Sequence, residues 1–103
     1  MPNLEIHYLY RDASNNKNRT SVVITNRERL CTYEAYQRLR AHFAKQQCWP
    51  DIVHIQPELL GWPTAYFDEY DPEEDLDLHE LEGLQDTVKP CTLTFDVSQL
   101  AGG

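Results

Sequence analysis

Apolar residues recur at helical spacing in one stretch only of this 103-residue chain, and short alternating stretches lie on either side of it. Tyr36, Leu39 and Phe43 form the helical stripe, with Gln37, Arg38 and Arg40 outside it, and Thr32 is suited to cap a helix running from Tyr33 to about Lys45. Before it, residues 4–10 alternate with Leu4, Ile6, Tyr8 and Tyr10 on one face, which predicts a strand. Residues 12–18 are rich in Asn, Asp and Ser and have the chemistry of a turn, and Ser21–Thr25 is a second strand; the pair reads as an antiparallel hairpin. After the helix, Pro50, Pro57 and Pro63 punctuate the pattern. Residues 52–55 and 65–67 fit short strands, Glu58–Gly61 fits one helical turn, and Thr92–Val97 alternates with Leu93, Phe95 and Val97 on one face. The order of strand, strand, helix, short pieces and strand predicts an α+β domain with one helix packed across a small mixed sheet.

The length suits a single domain, assigned to residues 1–98 with a flexible tail over 99–103. Hydrophobic residues make up 41%, which is enough for a packed core. The longest apolar stretches are far too short to span a bilayer. Residues 1–5 lack the basic start and apolar run of a signal peptide, so a cytoplasmic location is expected. Cys31, Cys48 and Cys91 are odd in number and widely spaced, which argues against a disulfide framework and for small buried thiols.

Charge is segregated along the chain. Residues 1–45 hold eight basic and four acidic residues, a net of +4, whereas residues 46–103 hold Lys89 against thirteen acids, a net of −12. Ten of the thirteen fall between Asp68 and Asp86, with no Lys or Arg among them. A surface of this kind repels polyanions, so direct binding of nucleic acid or of an anionic membrane is not expected. Asp68, Glu69, Asp71, Glu73, Glu74, Asp75, Asp77 and Glu80 admit a solvated segment with Leu76, Leu78 and Leu81 turned inward, or a docking surface for a basic partner. Counted from Asp71, oxygen ligands fall at several positions of an EF-hand loop, but Leu76 stands where that loop needs Gly and Pro72 takes the second place. His42, Cys48 and His54 match no usual zinc spacing. His79, set among acids, is expected to favour its charged form and titrate near neutrality. No nucleophile elbow or phosphate loop is present, so neither an enzyme nor a cofactor is expected. The aromatic residues beside prolines, among them Trp49, Trp62 and Tyr66, suit either core filling or a partner anchor.

Two resemblances follow. The layout, together with the ending Cys91–Gly103, resembles the ubiquitin-like β-grasp proteins, whose closing strand leads through a flexible stretch to Gly-Gly. The resemblance implies a non-enzymatic bacterial modifier. Its Gly103 carboxylate would be activated, and Ala101 and Gly102 would thread a narrow crevice that no side chain fits. Its implied partners are an activating enzyme, a conjugating enzyme and a target protein, with the chain monomeric on its own. Ala101 departs from ubiquitin, which has Arg before its glycines. Residues 10–17, Tyr-Arg-Asp-Ala-Ser-Asn-Asn-Lys, and the acidic, His-containing stretch 73–82 resemble small bacterial proteins without an assigned activity. In that likeness the chain ends in a short helix over Asp96–Leu100, with Asp96 as its N-cap. The alternative function is an acidic inhibitor or immunity protein, with the Asp68–Asp86 surface blocking the basic, nucleic-acid-binding site of a toxin or defence enzyme.

Overall fold

The computed structural model describes residues 3–11, 16–47, 52–65 and 78–100. Strand β1 (Asn3–Arg11) pairs antiparallel with β2 (Lys17–Ile24), from Leu4 opposite Ile24 to Arg11 opposite Lys17. Helix α1 (Thr32–His42) follows, then β3 (His54–Ile55) and β4 (His79–Thr87). Short 3-10 turns cover Ala44–Gln46, Pro57–Leu60 and Val97–Gln99. The sheet order is β2-β1-β4-β3, and every pair of strands is antiparallel. One helix packs against this curled four-stranded sheet, which makes the chain an α+β protein. No helix among the described residues is long and apolar enough to cross a membrane.

The alternation in β1 acts as expected: Leu4, Ile6, Tyr8 and Tyr10 are fully buried, the first three in the core cluster that the helix joins. The opposite strand carries Val22 and Ile24 onto the same face, and Ala35, Leu39 and Phe43 of the helix, which lies against β4 and β3, complete the same core cluster. Trp62 sits beneath, its ring 6.2 Å from Tyr8 and 5.3 Å edge-on to Phe95, so this aromatic is core. The register of β1 against β4 shifts between His7 and Tyr8, because Gly83 and Leu81 take successive places and Glu82 is extra. Such a bulge bends the strand and increases its twist, which contributes to the curl of the sheet.

Three sequence expectations change. The helix begins one residue earlier, with Cys31 as N-cap in place of Thr32: Cys31 Sγ accepts from the Glu34 amide, and Glu34 accepts from the Cys31 amide. Cys31 and Cys91 are exposed free thiols, not buried ones, because one faces the helix entrance and the other an outer bend; Cys48 lies outside the described residues. The closing strand of a mixed sheet is absent at residues 92–97, and β4 takes that role. Residues 92–97 do approach the outer edge of β2, but the contact reduces to one parallel bridge, Thr25 to Asp96. The Thr92 amide reaches Val23 O while Phe95 O accepts from the Thr25 amide, so three residues are used where a ladder advances two. Phe95 and Val97 are nevertheless buried. Their alternation therefore records burial without strand pairing.

The 3-10 turn at the end has the expected cap. Asp96 accepts from the Thr25 hydroxyl at 2.7 Å, the Arg27 amide at 3.1 Å and the Ser98 amide at 2.9 Å, and Gln99 completes the box by accepting from the Asp96 amide. Burial raises the Asp96 pKa, but the hydrogen bonds from Ser98, Thr25 and Arg27 outweigh it and hold the carboxyl well below its usual range. Leu100 is buried against the core, so Gln99 and Leu100, which the sequence assigned to a tail, belong to the packed body. Replacing Asp96 by Ala is expected to remove about 1–2 kcal/mol, the usual loss for a side-chain cap. Thermal unfolding followed by circular dichroism should then show the midpoint falling by several degrees. An unchanged midpoint would mean that residues 92–100 are held by their apolar contacts alone.

Candidate functional site

The described body is close to electrically neutral. It holds nine Lys and Arg against eight Asp and Glu, so the net charge of −8 arises outside it, with seven carboxylates and no cation between residues 68 and 77. The body's own acids are largely paired. Glu80 on β4 accepts from Arg11 at 2.8 Å, and Glu82 accepts from Arg19 at the same distance. Glu5 accepts from Lys89 at 2.8 Å and also from Gln85, and lies 3.1 Å from His7; the Lys89 hydrogen bond is the main reason its carboxyl is held below the usual range. Glu28 pairs with Arg38. Two of the basic residues of the N-terminal half, Arg11 and Arg19, are thus paired across the sheet with acids of the C-terminal half, which the antiparallel β1–β4 pairing brings near.

The two ends of the acidic segment are tied to this body. Pro63 O accepts from the Tyr8 hydroxyl, and Ala65 O accepts from Asn18 Nδ2 at 3.1 Å. The Ala65 amide donates to His79 Nε2 at 2.9 Å, so the residue before the segment and the start of β4 after it are in direct contact. His79 is fully buried, with its ring centroid 5.9 Å from Tyr8 and 5.2 Å from Tyr10. Since Nε2 accepts, the neutral ring carries its proton on Nδ1. Burial among apolar groups pushes the His79 pKa down to about 4, which overturns the expectation of a ring titrating near neutrality. The surrounding acids in the sequence mislead because the ring points into the core. His54 is lowered in the same direction by burial, against a smaller opposing pull from Glu80. Burial raises the Tyr8 phenol, and the charge of Glu58 adds to it.

A second structure supports the far side. The Leu81 amide donates to Val53 O at 2.8 Å, and Gln47 bridges the helix end to β3, donating to Phe43 O and His54 O and accepting from the His54 amide. An open groove of about 530 Å³ lies between Thr25, Arg27 and the 91–99 segment. Its carboxylate, Asp96, is already committed to the cap described above. Among the described residues no group of three His, Cys, Asp or Glu side chains could hold a metal ion.

Of the site residues expected from sequence, Glu80 is placed on β4 and held by Arg11, with its side chain 15% exposed, so it strengthens the sheet and is not an open contact. Asp68, Glu69, Asp71, Glu73, Glu74, Asp75 and Asp77, and Ala101, Gly102 and Gly103, lie outside the described residues. Sequence reasoning missed the Tyr8, Asn18, Pro63, Ala65 and His79 clasp. Proline beside aromatics and a histidine just after the acid run were its only signals, and neither fixes a contact between residues 14 apart.

The Arg11–Glu80 pair should be worth most where it is least exposed. Arg11→Met alone is expected to destabilise the protein by leaving the Glu80 carboxylate without its guanidinium, and Arg11→Met with Glu80→Gln to recover part of the loss. A double-mutant cycle in urea should give a coupling of about 1–3 kcal/mol. Strict additivity would reduce the pair to a solvated contact.

No protein-family model matches the chain, and the searches of curated proteins and of solved structures give no match either.

Proposed function

We propose that this protein is a binding module that offers the carboxylates of residues 68–77 to a basic surface on another protein, in the manner of an inhibitor or immunity protein. The supporting observation is where the charge lies: a nearly neutral body, and seven acids without a cation on a segment whose two ends are joined through Ala65 and His79. Concentrated charge of one sign steers a complementary partner and raises the association rate. Fixing both ends on a rigid base reduces the conformational freedom that binding must remove. A basic site evolved to hold phosphates is the natural complement, because carboxylates present the same sign of charge and the same acceptor oxygens.

A second reading, a ubiquitin-like modifier of β-grasp type conjugated through Gly103, draws support from the hairpin, the helix across the sheet and the buried Leu100. In that reading Ala101, Gly102 and Gly103 leave a fixed point directly.

One experiment separates the two. The protein is recovered from its native cells with whatever it binds, and the complex is measured by surface plasmon resonance over a range of salt. The proposal expects a basic partner. Its association rate should fall at least about tenfold between low and physiological salt. Glu73→Lys, Glu74→Lys, Asp75→Lys and Asp77→Lys together should have a similar effect, and removal of Gly102 and Gly103 should leave binding unchanged. Binding indifferent to salt and to charge reversal would overturn it. Covalent adducts through Gly103, lost on that truncation, would establish the modifier instead.

A further inference from the structure

We propose that His79 is a proton-operated latch: neutral, it holds the Ala65 amide and keeps residues 63–65 on the sheet, and protonated, it lets them go. As regulation of the acidic segment this rests on the binding reading above, but its operation is a property of the described residues alone.

The geometry makes the latch sensitive to a single proton. Ala65 N–H points at Nε2 from 2.9 Å, and that nitrogen can accept only while it is unprotonated. A proton on Nε2 places two donors face to face in a site with no exposure to water. The loss is not confined to one bond, because the same short stretch is held by the Tyr8 hydroxyl on Pro63 O and by Asn18 on Ala65 O. Two of the three ties come from β1 and its partner β2, and the third from β4, so residues 63–65 bind the sheet across three strands.

Among the described residues, burial is the cause that holds the ring neutral. From β1, Tyr8 and Tyr10 present aromatic faces, and the Tyr8 phenol is kept protonated by burial. From β4, Glu80 is adjacent in sequence but engaged by Arg11, which follows Tyr10 on β1. From β3, His54 sits opposite Glu80 and is itself held toward its neutral form. From the Pro57–Leu60 turn, Glu58 acts on Tyr8. Asp77, two residues before His79, lies outside the described residues.

The sign follows from linkage. With residues 63–65 released, the ring comes nearer water and its pKa moves up toward the ordinary 6.5; held closed, it protonates only near 4. Above 6.5 neither form binds the proton and the latch is closed. Between 6.5 and about 4 the open form binds it preferentially, and closure weakens by up to about tenfold per pH unit. Below about 4 both forms are protonated and the loss levels off.

Amide hydrogen exchange by NMR, corrected for the intrinsic rate at each pH, tests the latch on the full chain, with the His79 ring carbon followed in the same samples. Ala65 protection is expected to fall by about tenfold per unit below pH 6.5 and to flatten near 4, while Ile6 and Leu39 keep theirs. His79→Gln should remove the slope. If that variant does not fold, Tyr8→Phe serves, lowering Ala65 protection at every pH while keeping the slope. Ala65 protection independent of pH, a ring that titrates near 6.5 with Ala65 still protected, or loss of Ala65, Ile6 and Leu39 together would each overturn the latch. None of these results bears on salt-dependent binding at neutral pH, which tests the binding reading separately.

Discussion

Strand β1 is hydrogen-bonded along both of its edges, and most of the remaining structure takes its position from that fact. Pairing with β2 on one side and β4 on the other consumes its backbone donors and acceptors, which a buried strand must satisfy within the protein. Its inward residues supply the centre of the core, and Tyr8 adds a hydroxyl that reaches Pro63. A buried tyrosine needs a partner for that hydroxyl. The carbonyl it finds belongs to the stretch that leads into the acidic segment. One strand thus supplies the centre of the core cluster that Leu39 and Phe43 of the helix join, and also a tie at Pro63, on the stretch that leads toward the acids.

The order of charge along the sequence acquires its meaning from the same pairing. A basic N-terminal half and an acidic C-terminal half suggest a polarised surface when read linearly. Antiparallel contact of β1 with β4 instead superposes part of one on part of the other, and Arg11 and Arg19 meet Glu80 and Glu82. The more exposed Arg19–Glu82 pair adds little stability. The two pairs bring opposite charges of the two halves together in a body that holds nine cations against eight acids, so that most of the excess lies in residues 68–77.

What was legible in the sequence was what depends on local pattern. The period of two in residues 4–10, the period near 3.6 around Leu39 and the cap at Asp96 all reflect interactions within a few residues. Strand β4 was not legible. His79–Thr87 is rich in Glu, Gln and Asp with a glycine within it, a composition with little strand preference of its own, and it becomes a strand by pairing with both β1 and β3. Conversely, Thr92–Val97 has the strand pattern but finds only the end of an edge to pair with. The candidate site was legible as a run of acids and illegible as a clasp, since the contacts of Ala65 with Asn18 and His79 join residues that the sequence keeps 47 and 14 positions apart.

His79 and the acidic segment pose opposite electrostatic problems at one place in the fold. The ring is a group that could be charged and is kept neutral by removal from water, whereas the carboxylates are charged and have no cation among them. Seven like charges on ten residues repel one another, so drawing them together without a counter-charge is unfavourable at low salt. Two of the body's arginines, Arg11 and Arg19, hold Glu80 and Glu82. A basic partner, as proposed above, would supply that counter-charge from another molecule, and the protein's own shown contribution is the tie between Ala65 and His79.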